Sequence, residues 1–191
     1  MADPLPTTDP LLTILRNTAV TVAVLASLGS GASAYHQATE TEIKAAYLYN
    51  FTKFIEWPAA AAPAEPFRLC VVNDDRLKRA IDQTIEGESA NGRELQSVTP
   101  RTPAEAAACQ VLFIGRSEPD RAATFMAAIS DLPVLTVGDS LQRSSQAMDV
   151  EFVLEGNRLR FDVNLTGAER RGLKISSKLL RVARHVREDP K

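Results

Sequence analysis

The chain is short of the residues that usually carry chemistry. Two cysteines and two histidines among 191 residues leave too few soft or imidazole ligands for a structural zinc site, which takes four of those types. His36 and His185 stand far apart in the sequence, so a paired metal site is not expected. There is no Gly-x-Ser-x-Gly elbow, no P-loop and no Gly-x-Gly-x-x-Gly fingerprint. Their absence removes the sequence grounds for an α/β-hydrolase, a nucleotide triphosphatase and a dinucleotide enzyme. Charge of one sign is also lacking: the formal net charge is -2, and nothing argues for nucleic-acid binding. Nine glycines and eleven prolines are too few for a collagen or a disordered linker protein. What remains, 45% hydrophobic and 24% charged residues, suits one soluble domain with a sizeable core.

The most apolar stretch, residues 18–28, is eleven residues long and uncharged, whereas a membrane-spanning helix needs about 20. Arg16 precedes it, and Ala32-x-Ala34 follows with the small side chains that signal peptidase requires. Residues 1–34 are therefore expected to be a signal peptide cleaved before Tyr35. That leaves a single exported domain, 35–191. Tyr35 and not a cysteine stands directly after the cleavage site, which argues against a lipid-anchored mature N-terminus.

Along the mature chain, Thr39-x-x-Glu42 is a capping box. It opens a helical stripe of Ile43, Ala46, Tyr47, Asn50, Phe51 and Phe54, ended at Trp57-Pro58. Asn50 reads as a buried, satisfied amide and Trp57 as a core residue. Residues 67–72 form an apolar strand, and Asn73-Asp74 caps a helix to about Glu86. Residues 87–92 are turn-like, and 94–99 make a second strand. Thr102-Pro103-x-Glu105 starts a short helix, and 109–114 is a third strand. Ser117-x-x-Asp120 caps a helix to about Ser130. The next strand, 133–137, is stopped by Gly138-Asp139-Ser140. Strand and helix alternating at this spacing argue for a parallel sheet covered on both faces. The order then changes. Residues 150–154 and 159–163 flank Gly156-Asn157, a two-residue hairpin signal. Folding there pairs Leu154 with Leu159, Phe152 with Phe161 and Val150 with Val163 on one face, and Val153 with Arg160 and Glu155 with Arg158 on the other. Thr166-x-x-Glu169 caps a short turn, and a last helix from Ser176 carries Leu179, Val182, Ala183 and Val186 inward.

Cys70 lies in the first strand and Cys109 in the third, which are neighbours in a doubly wound sheet of order 2-1-3. Adjacent strands are about 4.8 Å apart, within reach of a disulfide. An exported protein with an even cysteine count is expected to pair them. Two buried thiols acting as small hydrophobes are the alternative.

Other positions invite a functional reading and a plainer one. Asn73-Asp74-Asp75 follows the first strand, where a doubly wound fold opens its crevice. A receiver-type phosphorylation site would need an Asp after the third strand. Gly115-Arg116 stands there, so a helix cap is the better reading. Asn73, Arg116, Ser117 and Asp139 outline a candidate ligand or anion crevice, although a solvated Arg116 beside an ordinary cap is the favoured reading. Between positions 168 and 187 there are seven Lys and Arg against one acid, Glu169. Such a helix can meet anionic lipid or an acidic partner, or can be a core helix whose basic face complements its dipole. Lys174, Lys178 and Arg181 are the candidate partner surface.

Three stretches resemble the YfiR family of periplasmic proteins. They are Ala45-Ala46-Tyr47-Leu48-Tyr49-Asn50-Phe51-Thr52-Lys53-Phe54-Ile55-Glu56-Trp57-Pro58, the strand pieces around Cys70 and Cys109, and Arg171-Gly172-Leu173-Lys174-Ile175-Ser176-Ser177-Lys178-Leu179-Leu180. The spacing of Cys70 and Cys109 matches one family cysteine pair. A second pair found in YfiR is missing here. The resemblance implies a three-layer flavodoxin-like α/β sandwich, its mostly parallel sheet edged by the C-terminal antiparallel hairpin. It also implies a regulator without enzymatic activity or cofactor, which binds the periplasmic sensor region of a membrane diguanylate cyclase and represses it. An OmpA-like outer-membrane lipoprotein that sequesters the repressor is a second implied partner, and a homodimer is allowed. The competing reading is a periplasmic small-molecule module serving a transporter or sensor kinase, with its ligand near Asn73, Arg116 and Asp139.

Overall fold

A computed structural model describes residues 38–58, 66–115, 119–139 and 148–188, all within one compact unit, Ala38–Lys191. The leader and its cleavage site lie outside the described residues. So do Arg116, Ser117 and Ser140. In chain order the elements are α1 (Glu40–Phe54), β1 (Ile55–Glu56), β2 (Phe67–Val72), α2 (Asp75–Ile85), β3 (Ser89–Ala90), β4 (Arg93–Val98), α3 (Pro103–Ala107) and β5 (Val111–Ile114). They continue with α4 (Pro119–Ala128), β6 (Leu135–Asp139), β7 (Val150–Glu155), β8 (Arg158–Asn164), α5 (Leu165–Arg170), β9 (Lys174–Ile175), α6 (Ser177–Leu180) and β10 (His185–Arg187).

Eight strands form one sheet in the order β10-β8-β7-β6-β5-β2-β4-β3, and β1 pairs with β9 in a separate two-stranded sheet. Strands β4, β2, β5, β6 and β7 run parallel. The sheet is covered on both sides, so β5 is apolar throughout and β2 is so except at Arg68. On one side Phe67, Leu69, Val71, Val111, Phe113 and Val137 pack with Leu48 and Phe51 of α1 and Leu77 and Ile81 of α2. On the other, Cys70, Val72, Leu112 and Ile114 meet Ala106 of α3 and Ala122 and Phe125 of α4. This is the three-layer α/β sandwich expected from the sequence.

The hairpin has the register that its alternation dictates: Val150↔Val163, Phe152↔Phe161, Val153↔Arg160, Leu154↔Leu159 and Glu155↔Arg158. A slip by one residue would turn Phe152 and Phe161 out of the core. Both pack on Phe51, with ring centroids at 6.1 and 5.4 Å. Leu154, near the hairpin tip, lies beyond this cluster and is 56% exposed.

Elsewhere tertiary contacts override the local pattern. The Thr39 capping box closes as expected, but α1 is rotated about its axis. It buries Lys44, Ala45, Leu48, Phe51 and Thr52, while Ala46, Asn50 and Phe54 face solvent. A lysine is thus drawn into the buried stripe, because Lys44 Nζ meets Asp139 Oδ1 at 2.8 Å and Glu40 Oε1 at 2.7 Å. Gly138 and Asp139 continue β6 instead of stopping it. Helix α5 is capped by Asn164, whose Oδ1 accepts from Gly167 N at 3.0 Å, and not by Thr166.

The expected last helix is a single turn, and the chain then becomes β10 on the open edge of β8. Arg184 N donates to Phe161 O at 2.8 Å, and Val186 pairs with Val163. Of the residues expected to point inward, Leu179 is buried, whereas Val182 and Val186 are 56% and 39% exposed. The vacant edge of β8 offers backbone hydrogen bonds and a guanidinium partner in Asp162. A helix with one buried residue per turn offers less.

Candidate functional site

Helix α1 crosses the sheet. Its first turns reach the carboxyl end of β6 through Lys44 and Asp139. Beyond its last turn, Trp57 packs edge-on against Phe67, the first residue of β2, with centroids at 5.0 Å. Fifteen residues at 1.5 Å each make about 22 Å. Two candidate regions therefore sit at opposite ends of the parallel strands.

At the amino end, the chain leaving α1 meets the chain leaving α5. Ile55 pairs with Ile175 and Glu56 with Lys174, and Ser176 N donates to Phe54 O at 2.9 Å. Gly172, at φ +76°, lies so close to Pro58 that a Cβ would stand 3.4 Å from its Cγ. The two longest stretches of the family resemblance, more than a hundred residues apart, thus touch, the end of the first (Phe54–Pro58) lying against Gly172–Ser176 of the second. They enclose a groove of about 440 Å³ lined by Lys53, Phe54, Glu56, Lys174, Ile175, Ser176 and Lys178.

The groove mixes charge with apolar surface: three lysines and one carboxylate line it together with Ile175 and with Phe54, which is 36% exposed. Its rim is organised. Lys53 Nζ lies 4.1 Å from the Tyr49 ring centroid and 3.6 Å from Glu88 Oε2, and the Tyr49 hydroxyl donates to Glu88. The Tyr49 contact, then Glu88, holds the Lys53 ammonium above its ordinary pKa. The same tyrosine holds the Glu88 carboxyl below its own ordinary value, with Lys53 adding to it. Groups so arranged stay charged at neutral pH. The Lys53 and Glu88 charges offset each other, so Lys174 and Lys178 supply the attraction for an anionic or carboxylate-bearing surface while Phe54 and Ile175 offer apolar contact.

Of the expected partner surface, the structure brings Lys174 and Lys178 into this groove. Arg181 follows at the end of α6, exposed and outside the lining. The remaining basic residues do not form one helical face. Arg171, its side chain only 10% exposed, pairs with the buried Asp149, Arg184 forks onto Asp162 at 2.8 and 2.6 Å, and Arg187 lies 3.6 Å from Glu151. Lys53, Phe54 and Glu56 were missed as groove residues because their stretch reads first as the end of a helix.

At the carboxyl end, Asn73 adopts φ +59° directly after β2. Asp74 caps α2, its Oδ1 accepting from Leu77 N at 2.9 Å. Gly115 lies so close that a Cβ would stand 3.0 Å from Asn73 O. Asp139 is engaged by Lys44. Burial alone would lower the Lys44 pKa, but its hydrogen bonds to Asp139 and Glu40 outweigh that and raise it. Among the described residues no cluster of His, Cys, Asp or Glu is placed to hold a metal ion, and no helix is long and apolar enough to cross a membrane.

Cys70 and Cys109 form a disulfide with Cα atoms 6.0 Å apart. It sits in the layer opposite α1 and ties the α3–β5 turn to β2. The two cysteines come from neighbouring strands or their approaches, as the 2-1-3 order requires.

Fold and site together define a class: a disulfide-stapled three-layer α/β domain with a lysine-rich groove at the amino end of its parallel strands. The YfiR/HmsC-like family model matches residues 41–184, and the chain belongs to that family. No individually curated protein matches it.

Proposed function

We propose that this YfiR/HmsC-like protein is a periplasmic regulator that binds the sensor region of a membrane-bound diguanylate cyclase and holds the enzyme inactive. It is exported by residues 1–34, cleaved before Tyr35, and acts by docking instead of catalysis. Envelope or redox stress would reach cyclic-di-GMP when an OmpA-like outer-membrane lipoprotein draws the regulator away. Repression by docking requires tighter binding to the inactive cyclase than to the active one. The observation that carries this reading is the groove: the family match spans 41–184, and its two end segments supply all of the lining. An exposed aromatic suits apolar contact with a protein partner, and lysines beside it steer an acidic one.

The test is genetic and biochemical. Deleting the gene should raise cyclic-di-GMP, and wild-type protein should restore it. Lys174→Glu/Lys178→Glu protein, folded and secreted normally, should fail to restore it and should lose the cyclase in pull-downs from membranes. Unchanged cyclic-di-GMP on deletion, under conditions where the cyclase is expressed, overturns the proposal.

A further inference from the structure

We propose that Arg171 is a positioning residue of the groove. With Asp149 and Thr136 it forms a buried lock that fixes the path of residues 172–178. Asp149 is fully buried, and its Oδ2 accepts from Thr136 N at 2.8 Å and Thr136 Oγ1 at 2.9 Å. Its Oδ1 accepts from Arg171 Nη2, and its backbone carbonyl accepts from Asn164 N at 2.7 Å. The site is packed closely around this contact: a Cβ on Gly167 would stand 3.1 Å from both Asp149 Oδ1 and Asn164 Nδ2, so a side chain there would press the carboxylate out of place.

The lock is nevertheless incomplete. Arg171 Nε is buried without a partner. A buried ion pair whose hydrogen bonds are not all made adds little net stability; what it can provide is one arrangement in preference to others. That arrangement leads straight into the groove. Gly172 N and Leu173 N bond back to Glu169 O and Ala168 O at 2.9 and 3.1 Å, and the next residues form β9. The opposite wall has its own anchor, Trp57 Nε1 donating to Gln110 O at 3.2 Å. The groove is therefore suspended between β5, through Trp57, and β6–β7, through Arg171. The importance of this lock for docking rests on the function proposed above, but its geometry does not.

Hydrogen exchange on the isolated protein separates the two. In Asp149→Asn/Arg171→Gln protein the charges go, while an amide pair retains most of the hydrogen bonding. The amides of Leu173 and Ser176 should then exchange roughly tenfold faster than in the wild type, while those of Gln110 and Leu135 in the sheet keep their protection. Gly167→Ala, which presses a methyl group on the Asp149 carboxylate, should give the same local effect and takes over if the double variant does not fold. Unchanged protection at Leu173 and Ser176 in a folded variant overturns the proposal. So does an equal loss of protection everywhere, which would make the pair a general stabiliser. Neither outcome depends on whether a cyclase is bound.

Discussion

Single side chains carry the largest expected penalties. Asp149→Ala leaves the Arg171 guanidinium buried without its carboxylate, and removing one partner of a buried pair costs about 3–5 kcal/mol. A urea titration should show that loss. A midpoint within error of the wild type would mean that Arg171 escapes to water. Asp162 carries a pH dependence. The Arg184 fork lowers its pKa below the ordinary 3.8 against the opposing effect of burial, and His185 adds to the lowering. Its contribution to stability is thus complete above the unfolded-state value and fades as pH falls through the lower folded-state value. Stability measured from pH 6 downward should fall less steeply in Asp162→Asn than in the wild type below about pH 4, and parallel curves would assign the acid sensitivity elsewhere. Neither contact was legible in the sequence. Asp149 and Arg171 are 22 positions apart with no local pattern joining them, and the basic C-terminal stretch reads as one solvated face. The caps at Thr39, Asp74 and Thr102 were legible, since each acts within four residues of its own position.

At the scale of elements, what could be read depended on how far the deciding contact lay. The β7–β8 hairpin is set by its own alternation and turn, and its register follows from residues 150–163 alone. Gly156 has φ +59° while Asn157 does not share the left-handed region, as a turn with glycine at its first central position demands. No atom lies within 4 Å of a Cβ built on Gly156, so Gly156→Ala tests backbone conformation without a clash. It should cost about 1 kcal/mol, read as a lower thermal midpoint, and Gly156→Asn should cost less. An unchanged midpoint would show that the turn can adopt another conformation. The C-terminal stretch is the opposite case. Leu179, Val182, Ala183 and Val186 fit a helical period, yet the open edge of β8 decides the outcome, and no local pattern announces that edge. The rotation of α1 has the same origin: the Lys44–Asp139 contact spans 95 positions, so a lysine inside the buried stripe defeats a count of apolar spacing.

For the molecule as a whole, the disulfide and the groove lie on different layers but share a neighbour. Closing a loop of 39 residues contributes about 4 kcal/mol in the chain-entropy model. Cys70→Ala/Cys109→Ala should therefore lower the urea midpoint substantially, and denatured, unreduced wild-type protein should take up no thiol label. Whether the groove feels that loss depends on Gln110, the residue after Cys109. Gln110 is held independently of sulfur: its N donates to Arg68 O at 3.0 Å, and its Oε1 accepts from Arg68 N at 2.7 Å. Its carbonyl receives the indole of Trp57, the single tryptophan of the chain. Native tryptophan fluorescence thus reports on Trp57, the residue after Glu56 of the groove lining. Because the two Arg68 bonds persist without the disulfide, the double alanine variant should show wild-type emission in buffer even as it unfolds at lower urea. A red-shifted native spectrum would instead mean that the cystine itself holds the wall in place, and that reduction reaches the docking groove directly.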